Sequence, residues 1–325
     1  MPFTDPIPAR DLPAFRPDVA EPEDFDAFWA DTIAEARAVG GEVALDRVET
    51  PFRTVEVHDL TFPGFAGDPV KAWVTLPAGA EGPLPTVVEY LGYGGGRGLP
   101  GMRLFWPSAG YAHILMDSRG QGSSWGSGGD TPDPHGSGPA FPGVMTRGIS
   151  DPETYYYRRL FTDGVRLVDA VKELDVVDVE RIAVTGGSQG GAITLAVAGL
   201  TPGLAAVMPD VPFLCHFRWS VERTPEPPFT EIARYLGIHR DQDDVVFRTL
   251  SYFDGVNFAK RASAPAIFSA ALMDPIVLPS SVFAAYNHYG HADRSIEVYP
   301  FNGHEHGELH QLHRQAAWLA AHLAR

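Results

Sequence analysis

The chain has 325 residues, 44% of them hydrophobic and 20% charged, so it is long enough to bury a large core. Its 25 Lys and Arg against 41 Asp and Glu give a formal net charge of −16 at pH 7, which argues against nucleic acid or an anionic membrane surface as a partner. No stretch has the composition of a membrane span or a secretory leader, and the single cysteine, Cys215, fits a reducing compartment, so we expect a soluble cytoplasmic protein.

The N-terminal part, residues 1–45, is predicted to form an arm followed by a helix. Five prolines in the first twenty residues disfavour regular structure there, and we expect this arm to lie on the body of the protein or on a neighbouring subunit. Apolar residues at helical spacing follow Pro22, and a Gly-Gly pair ends the predicted helix. Residues 54–62 and 69–76 alternate apolar and polar side chains, which predicts an antiparallel hairpin.

From residue 86 onward, continuous apolar runs alternate with helical patterns, which is typical of a mostly parallel α/β sheet flanked by helices. The predicted strands cover residues 86–91, 113–116, 182–185, 205–208, 266–269 and 296–299. The predicted helices cover about 98–109, 153–174, 190–200, 279–289 and 308–323. Residues 211–261 are too long for a simple crossover, so we interpret them as an inserted, cap-like segment over the active site within one α/β domain of residues 1–325.

The central motif is a Gly-x-Ser-x-Gly sequence around Ser188, which lies between a β-branched run and a small apolar helix. Such a strand, sharp turn and helix form the nucleophile elbow of serine hydrolases. A serine hydroxyl needs a base and the base needs an orienting acid, and His304 and Asp274 follow later strands in the chain order that α/β-hydrolases use. Asp210, at the end of an earlier strand, is the second candidate for the acid because it precedes the inserted segment.

An esterase also needs donors for the oxyanion of its tetrahedral intermediate. We assign these donors to the backbone N–H groups of Gln189 and of Tyr93, which lies in a glycine-rich loop after a strand. That loop lacks a complete Gly-x-Gly-x-x-Gly and the chain has no Walker sequence, so no nucleotide cofactor is predicted. His306 and His310 lie four residues apart and allow a weak surface metal site as an alternative to solvated helix histidines, but position 308 is Glu, so the zincin motif is absent and no metal is predicted.

Arg119 follows the predicted strand 113–116 after two polar residues, Asp117 and Ser118. We expect its guanidinium to pair with Asp117, Glu305 or a backbone carbonyl and to hold the active-site loops together. The glycine-rich continuation, residues 123–143, has little secondary-structure signal, and an unstructured run of that length predicts a functional or interface loop.

Three motifs, with supporting stretches from the N-terminal helix nearly to the C-terminus, are specific enough for comparison with a known family: Arg119-Gly120-Gln121, Gly186-Gly187-Ser188-Gln189-Gly190 and His304-Glu305. With these motifs the chain resembles the acetyl xylan esterase / cephalosporin C deacetylase family, carbohydrate esterase family 7, of the α/β-hydrolase superfamily. The resemblance implies the following roles: Ser188 as nucleophile, His304 as general base, Asp274 as orienting acid, Gln189 and Tyr93 as oxyanion donors, and Arg119, Gln121 and Glu305 as supporting residues.

The resemblance also implies the substrates and the assembly. Members of this family remove acetyl groups from acetylated xylooligosaccharides, small sugar acetates and cephalosporin C, and they need no metal. They form intracellular homo-hexamers, built as a dimer of trimers. Trp219 and Pro275 depart from the family's usual pattern, and we predict that both shape the substrate pocket.

Two other functions are compatible with these residues. A serine carboxylesterase, thioesterase or peptidase of different acyl specificity would use the same triad. A catalytically inactive hydrolase fold used as a binding protein would lack a triad member or an elbow glycine, and no such residue is missing here.

Overall fold

One mixed sheet runs through the residues that the structure, a computed structural model, describes, which are 5–136 and 138–324. Its strands are β1 (Ala44–Val48), β2 (Val55–Pro63), β3 (Pro69–Pro77), β4 (Leu84–Tyr90), β5 (Ala112–Met116), β6 (Val177–Gly187), β7 (Ala206–Asp210), β8 (Ala266–Ala271) and β9 (Arg294–Tyr299). They are ordered β1-β2-β3-β5-β4-β6-β7-β8-β9 across the sheet. All six strands predicted from apolar runs are confirmed.

The first three strands pair antiparallel, β3 pairs antiparallel with β5, and every later pair is parallel. The predicted hairpin is confirmed, because β2 and β3 pair along their whole length from Val55 opposite Pro77 to Pro63 opposite Pro69. The edge strand β1 was not predicted, because its sequence does not alternate apolar and polar residues. None of its residues is fully buried, as is common for a strand at the edge of a sheet. The predicted α/β class, with a mostly parallel sheet, is confirmed.

Ten α-helices lie among the described residues: α1 (Phe25–Val39), α2 (Phe105–Ser108), α3 (Tyr156–Val171), α4 (Gln189–Leu200), α5 (Phe217–Arg223), α6 (Phe229–Ile238), α7 (Asp243–Ser251), α8 (Gly255–Ala259), α9 (Pro279–His288) and α10 (Glu308–Leu323). The predicted helix over 98–109 is wrong for most of its range, because Pro100 and Gly101, with φ at 78°, fall in turns and only α2 is helical. No helix in the described part of the chain is long and apolar enough to cross a bilayer.

The N-terminal arm lies on the body of the chain. The Asp5 carboxylate accepts the N–H of Ser280 at 2.8 Å, and the Asn287 amide donates to the carbonyls of Leu12 at 3.1 Å and Phe15 at 2.8 Å. The expectation that the first twenty residues form no regular structure is wrong in one place, since a single 3-10 helix spans Ala9–Ala14. These contacts fasten the arm to α9, which follows the strand that carries the predicted acid.

The inserted segment, residues 211–261, holds α5, α6, α7 and α8. The helical patches predicted at 230–240 and 244–250 correspond to α6 and α7, whereas α5 and α8 have seven and five residues and are too short for a periodic signal. Cys215 in this segment is fully buried, and burial raises the pKa of its thiol, as expected of a small apolar side chain rather than a nucleophile.

A buried ion-pair network fixes the loop after β5 to α3 and to the β2–β3 hairpin. The fully buried guanidinium of Arg119 donates from Nε to Asp163 Oδ2 at 2.5 Å and from Nη2 to Asp163 Oδ1 at 2.8 Å. Its Nη1 donates to Asp68 at 3.1 Å and to Asp133 at 3.4 Å. Burial opposes the charge of Arg119, but the attraction of Asp163 and its neighbours outweighs it and raises the pKa of this guanidinium.

The predicted partners of Arg119 are therefore wrong. Asp117 instead accepts three backbone N–H groups, from Arg97 at 2.9 Å, Asp130 at 2.6 Å and Thr131 at 2.8 Å. The prediction that Arg119 joins loops agrees with the structure, but its partners lie 44, 51 and 14 residues away in the chain. Carboxylates at such separations share no local sequence pattern with the arginine.

The start of helix α4 lies in close contact with the backbone of β4. A Cβ atom at Gly190 would overlap the carbonyl oxygen of Tyr90 on β4, and one at Gly186 would lie 2.6 Å from the Gly190 carbonyl. Nearly every residue of α4 is buried. The first turn of this helix therefore fits against β4 only when both positions are glycine.

We expect Gly190→Ala to lower the free energy of unfolding by about 3 kcal/mol or more, because the added methyl meets backbone that cannot rotate away. Gly237→Ala in α6 is the matched control, since nothing lies within 4 Å of the new methyl, and it should stabilise the protein by up to about 1 kcal/mol. Urea unfolding followed by circular dichroism measures both. A Gly190→Ala protein as stable as its parent would contradict the packing.

We expect Arg119→Ala to cost about 3–5 kcal/mol, since it leaves the fully buried Asp163 without its counter-ion. Arg47→Ala, which removes an exposed ion pair to Glu56 at 3.6 Å, should cost no more than about 1 kcal/mol. The same urea titration compares the two variants. Equal losses in the free energy of unfolding would show that the Arg119 network stabilises the protein no more than an exposed ion pair does.

Candidate active site

Ser188 lies between β6 and α4 in a backbone conformation that few residues with a side chain adopt. Its φ is 57° and its ψ is −118°. Three backbone hydrogen bonds hold it there: its N–H donates to Asp210 O at 2.9 Å, and its carbonyl accepts from Ala192 N and Phe213 N, each at 3.0 Å. Such strain concentrates at functional positions, and here it is maintained by the surrounding backbone.

His304 joins Ser188 to Asp274 by two hydrogen bonds. His304 Nε2 lies 3.0 Å from Ser188 Oγ, and His304 Nδ1 lies 2.8 Å from Asp274 Oδ2. Because an ionised carboxylate only accepts, Nδ1 carries the hydrogen in this pair and Nε2 is left to accept the serine proton. The structure thus brings the three predicted triad residues together in the order needed for nucleophilic catalysis.

Asp274 is fully buried and is held by the chain that follows it. Its Oδ1 accepts the N–H groups of Ile276 at 2.8 Å and Val277 at 2.9 Å, which leaves Oδ2 for His304. Pro275 lies between Asp274 and Ile276 in the chain and has no backbone N–H. Its fixed φ favours the turn in which the next two N–H groups point at the carboxylate, so Pro275 helps to orient the acid.

Asp210, the second candidate for the acid, has other partners. Its two carboxylate oxygens accept from the side-chain amides of Gln311 and Gln315 on α10, both at 2.8 Å, and its backbone carbonyl accepts the Ser188 N–H. Burial raises the pKa of Asp210, with His306 opposing that shift. The histidine of the triad therefore contacts Asp274 and not Asp210.

The two predicted oxyanion donors belong to different elements beside the serine. Tyr93 lies in the loop after β4 and lines the same cavity as Ser188, and Gln189 is the first residue of α4. Neither backbone N–H has an acceptor among residues 5–136 and 138–324. Both donors are free to bind a developing negative charge.

Glutamine side chains tie these two donors to each other. Gln121 Nε2 donates to Gln189 Oε1 at 3.0 Å, and Gln121 Oε1 accepts the N–H of Gly94 at 2.6 Å. Gln189 Nε2 donates in turn to Leu91 O at 3.2 Å, and Tyr157 OH donates to Gln189 Oε1 at 3.1 Å. The loop that carries Tyr93 is thereby fixed to the start of α4. The geometry gives both glutamines a positioning role.

The Tyr93 side chain links the same loop to the inserted segment. Its hydroxyl donates to Glu231 Oε1 on α6 at 2.7 Å and accepts the N–H of Val144 at 2.7 Å. Burial raises the pKa of the Glu231 carboxyl, although its hydrogen bond from Tyr93 opposes that rise. Neither Glu231 nor this contact was anticipated, since 138 residues separate the two partners.

The loop that holds the histidine is braced by Glu305. Its carboxylate accepts Asn302 Nδ2 and Gly303 N, each at 2.9 Å, so this exposed residue shapes the turn before His304 and does not reach Arg119. The interpretation of His306 as a solvated helix residue is wrong, because α10 begins at Glu308 and His306 lines the cavity. Within the described ranges, no group of three or more His, Cys, Asp or Glu residues could hold a metal ion.

A cavity of about 630 Å³ opens beside Ser188. Its lining includes further residues from loops, strand ends and helices that share no common sequence pattern, so most of them could not be predicted: Glu89, Arg103, Trp106, Trp125, Pro227, Pro228, Ile276, His306, Glu308, Leu309, Leu312 and Gln315. Trp125 belongs to the loop 123–143 that was predicted to be functional. Its indole N–H donates to the carbonyl of Tyr93 at 2.7 Å.

Trp219 and Pro275 do not line this cavity, which corrects the prediction that both shape the substrate pocket. The Trp219 indole N–H donates to Ser280 Oγ at 2.9 Å, and its ring stacks on His216 with the centroids 5.7 Å apart. Trp219 therefore joins α5 to α9, and Pro275 acts on the acid as described above.

Comparison with known proteins agrees with this arrangement. The acetyl xylan esterase (AXE1) family model matches residues 1–322. The acetyl xylan esterase from Paenibacillus sp. R4 superposes with a TM-score of 0.91 at 37% identity, over 97% of this chain and 99% of that one. Acetyl xylan esterase 1 from Thermoanaerobacterium sp. JW/SL YS485 gives a TM-score of 0.87 at 31% identity, over 96% and 99% of the two chains.

A curated relative, acetyl esterase Axe7A of Xylanibacter ruminicola, is 25% identical in an alignment that is 316 residues long and covers 89% of this chain. The chain spans 65% of the length of that relative. Together with the two solved structures, which match from end to end, these similarities establish the lineage. The chain belongs to the acetyl xylan esterase family, a family of carboxylic ester hydrolases with the α/β-hydrolase fold.

Proposed function

We propose that the protein is a serine esterase that removes acetyl groups from small acetylated carbohydrates, such as acetylated xylooligosaccharides, and from related acetate esters such as cephalosporin C. One observation carries the proposal: Asp274, His304 and Ser188 form a continuous hydrogen-bonded line at the wall of a cavity. Family membership supports the acetyl ester as the bond that is cleaved.

In the acylation step, Ser188 Oγ attacks the carbonyl carbon of the ester while its proton passes to His304 Nε2 over the 3.0 Å contact. Asp274 stays ionised and stabilises the imidazolium that forms. The carbonyl oxygen becomes an oxyanion and accepts the free N–H groups of Tyr93 and Gln189. Collapse of this intermediate breaks the bond to the alcohol, whose oxygen takes the proton from His304 Nε2.

In the deacylation step, a water molecule gives its proton to His304 and attacks the acetyl group on Ser188. The second tetrahedral intermediate uses the same two donors, and its collapse releases acetate and returns the proton to Ser188. Every proton in both steps passes through one nitrogen, Nε2, so the hydrogen bond from Nδ1 to Asp274 has to persist throughout the cycle.

A serine carboxylesterase, thioesterase or peptidase with another acyl preference is the second candidate, because a cavity of about 630 Å³ is within the range that holds drug-sized ligands. The loop geometry around Ser188 would serve any of these bonds. The acyl group and the leaving group therefore have to be distinguished by measurement of rates.

On the resemblance alone we also propose a cytoplasmic homo-hexamer, a dimer of trimers, whose other partners are small-molecule acetate esters. Nucleic acid and membranes are not expected to bind, in view of the charge of −16.

We expect Ser188→Ala to fold normally and to lower kcat for 4-nitrophenyl acetate by on the order of 10⁴ or more, since no other group can form the acyl-enzyme. Ser108→Ala, at an exposed serine of α2, is the matched control and should keep its activity. Labelling with a fluorophosphonate should be lost in the first variant and kept in the second. Turnover near the wild-type value in Ser188→Ala would refute the proposed mechanism.

We expect kcat/KM to fall steeply from acetyl to butyryl to octanoyl esters of 4-nitrophenol, because an acetyl-selective site rejects each added pair of methylenes sterically. Initial rates at equal enzyme concentration measure the series. A flat or rising profile would instead favour the carboxylesterase function, with the triad unchanged.

A further inference from the structure

The turn that leads to His304 contains a pair of residues that is prone to spontaneous chemistry. Asn302 is followed by Gly303, and it is the only one of the three asparagines in the chain that has a glycine after it. Because glycine has no side chain, its backbone nitrogen can approach the carboxamide of the preceding residue. Both residues lie after the end of β9 and are only half-buried, so water has access to them. The pair therefore meets the chemical requirements for deamidation.

Deamidation of this pair needs no reagent other than water. The Gly303 nitrogen attacks Cγ of Asn302, and as the N–Cγ bond forms, the Cγ–Nδ2 bond breaks. Nδ2 leaves as ammonia together with the hydrogen of the Gly303 nitrogen, and a cyclic imide remains. Water then adds to one of the two imide carbonyls and opens the ring. Opening at Cγ leaves an aspartate, whereas opening at the main-chain carbonyl leaves an isoaspartate, in which the chain runs through Cβ and Cγ.

Glu305 holds both nitrogens that take part in this reaction. One oxygen of its carboxylate accepts Asn302 Nδ2 and the other accepts the Gly303 N–H, each at 2.9 Å. A hydrogen bond from its own backbone N–H, with those from Asn302 and Gly303, lowers the pKa of Glu305, so the carboxylate is ionised at neutral pH. Hydrogen bonds to an ionised acceptor are stronger than those between neutral groups.

These two hydrogen bonds oppose the formation of the imide. The Gly303 nitrogen becomes a nucleophile only when it loses the hydrogen that binds Glu305, and the negative charge that develops on it is repelled by the carboxylate. The Asn302 carboxamide has to turn its Cγ toward this nitrogen, and the bond from Nδ2 to Glu305 restrains that rotation. A carboxylate is far too weak a base to remove the hydrogen of a backbone amide itself. Glu305 is therefore placed to slow the reaction.

The modified residue would lie two positions before the predicted base. An isoaspartate adds one carbon atom, about 1.5 Å, to the main chain. The Asn302 carbonyl also accepts the N–H of Met273 at 3.0 Å, so the change would reach the loop of the acid. His304 lies 3.0 Å from Ser188 and 2.8 Å from Asp274. A misplacement of about 1 Å at such contacts can lower a rate by about a hundredfold.

We propose that Asn302-Gly303 is a site of spontaneous deamidation, that Glu305 suppresses the reaction by binding both nitrogens, and that the isoaspartate product is inactive because His304 is displaced. The first two parts are independent of the proposed esterase function. Only the loss of activity rests on that function, so the modification and the activity are measured separately.

The first test measures the modification by mass spectrometry after incubation of the folded protein at alkaline pH. Trypsin leaves the three asparagines in separate peptides, residues 249–260, 262–294 and 295–314, and the last contains Asn302. We expect Glu305→Gln, which keeps one acceptor oxygen and loses the charge, to deamidate there about three to ten times faster than the wild type. Glu308→Gln is the matched control, since Glu308 is also exposed and both nitrogens donate to Glu305, and it should keep the wild-type rate.

Each other outcome contradicts a stated part of the proposal. An equal or slower rate in Glu305→Gln would overturn the protective role of this residue. A rise shared by the peptides of Asn257 and Asn287 would show a general loosening of the fold and would count against that role as well. If residue 302 stays unmodified in all three proteins, the site itself is refuted.

The second test follows the hydrolysis of 4-nitrophenyl acetate during the same incubation, as a fraction of the initial activity of each protein. We expect the loss in Glu305→Gln to match the fraction of isoaspartate at residue 302. The double variant Glu305→Gln/Asn302→Ser cannot form the imide and should lose activity no faster than the wild type. Full activity in protein that has become isoaspartate would overturn the effect on His304. A wild type without any initial activity would refute the esterase function, and the result by mass spectrometry would stand.

Discussion

The close approach of α4 to β4 is the constraint on which the site depends. Because Gly186 and Gly190 have no side chains, the helix starts directly against the Tyr90 carbonyl and forces Ser188 to a φ of 57°. That conformation is typical of an elbow that holds the serine oxygen above the sheet, and Gln189, as the first residue of α4, has an N–H without an intrahelical partner. The conformation of the proposed nucleophile and the position of one proposed oxyanion donor thus depend on a single packing contact.

Two further elements bring partners to this contact by different physical means. The parallel strands β8 and β9 deliver Asp274 and His304 to the same edge of the sheet, since each follows the end of its strand. The loop with Tyr93 is held by amide hydrogen bonds through Gln121 and Gln189, and the neighbouring loop by the buried charges around Arg119. Main-chain topology places His304 and Asp274, whereas side chains hold the loop of the second proposed oxyanion donor.

The difference explains which features could be predicted. Local runs of apolar residues and glycines indicate the strands, the elbow and the order of the triad along the chain. It could therefore be predicted that Ser188, Asp274 and His304 lie close together. The partners of Arg119, the Tyr93 to Glu231 contact and the cavity lining join residues that are far apart in the chain, and no periodicity relates them. Trp219 is an example, because its departure from the family pattern suggested a place in the substrate pocket, whereas its indole N–H donates to Ser280 on α9.

The hydrogen bond between Tyr93 and Glu231 has a consequence for how the inserted segment can change. Tyr93 has both the N–H that we propose as an oxyanion donor and a hydroxyl that donates to Glu231 on α6. Under the proposed mechanism, a shift of α6 would move the Tyr93 loop and so change the geometry at the carbonyl oxygen of the substrate, which couples turnover to the position of the inserted segment.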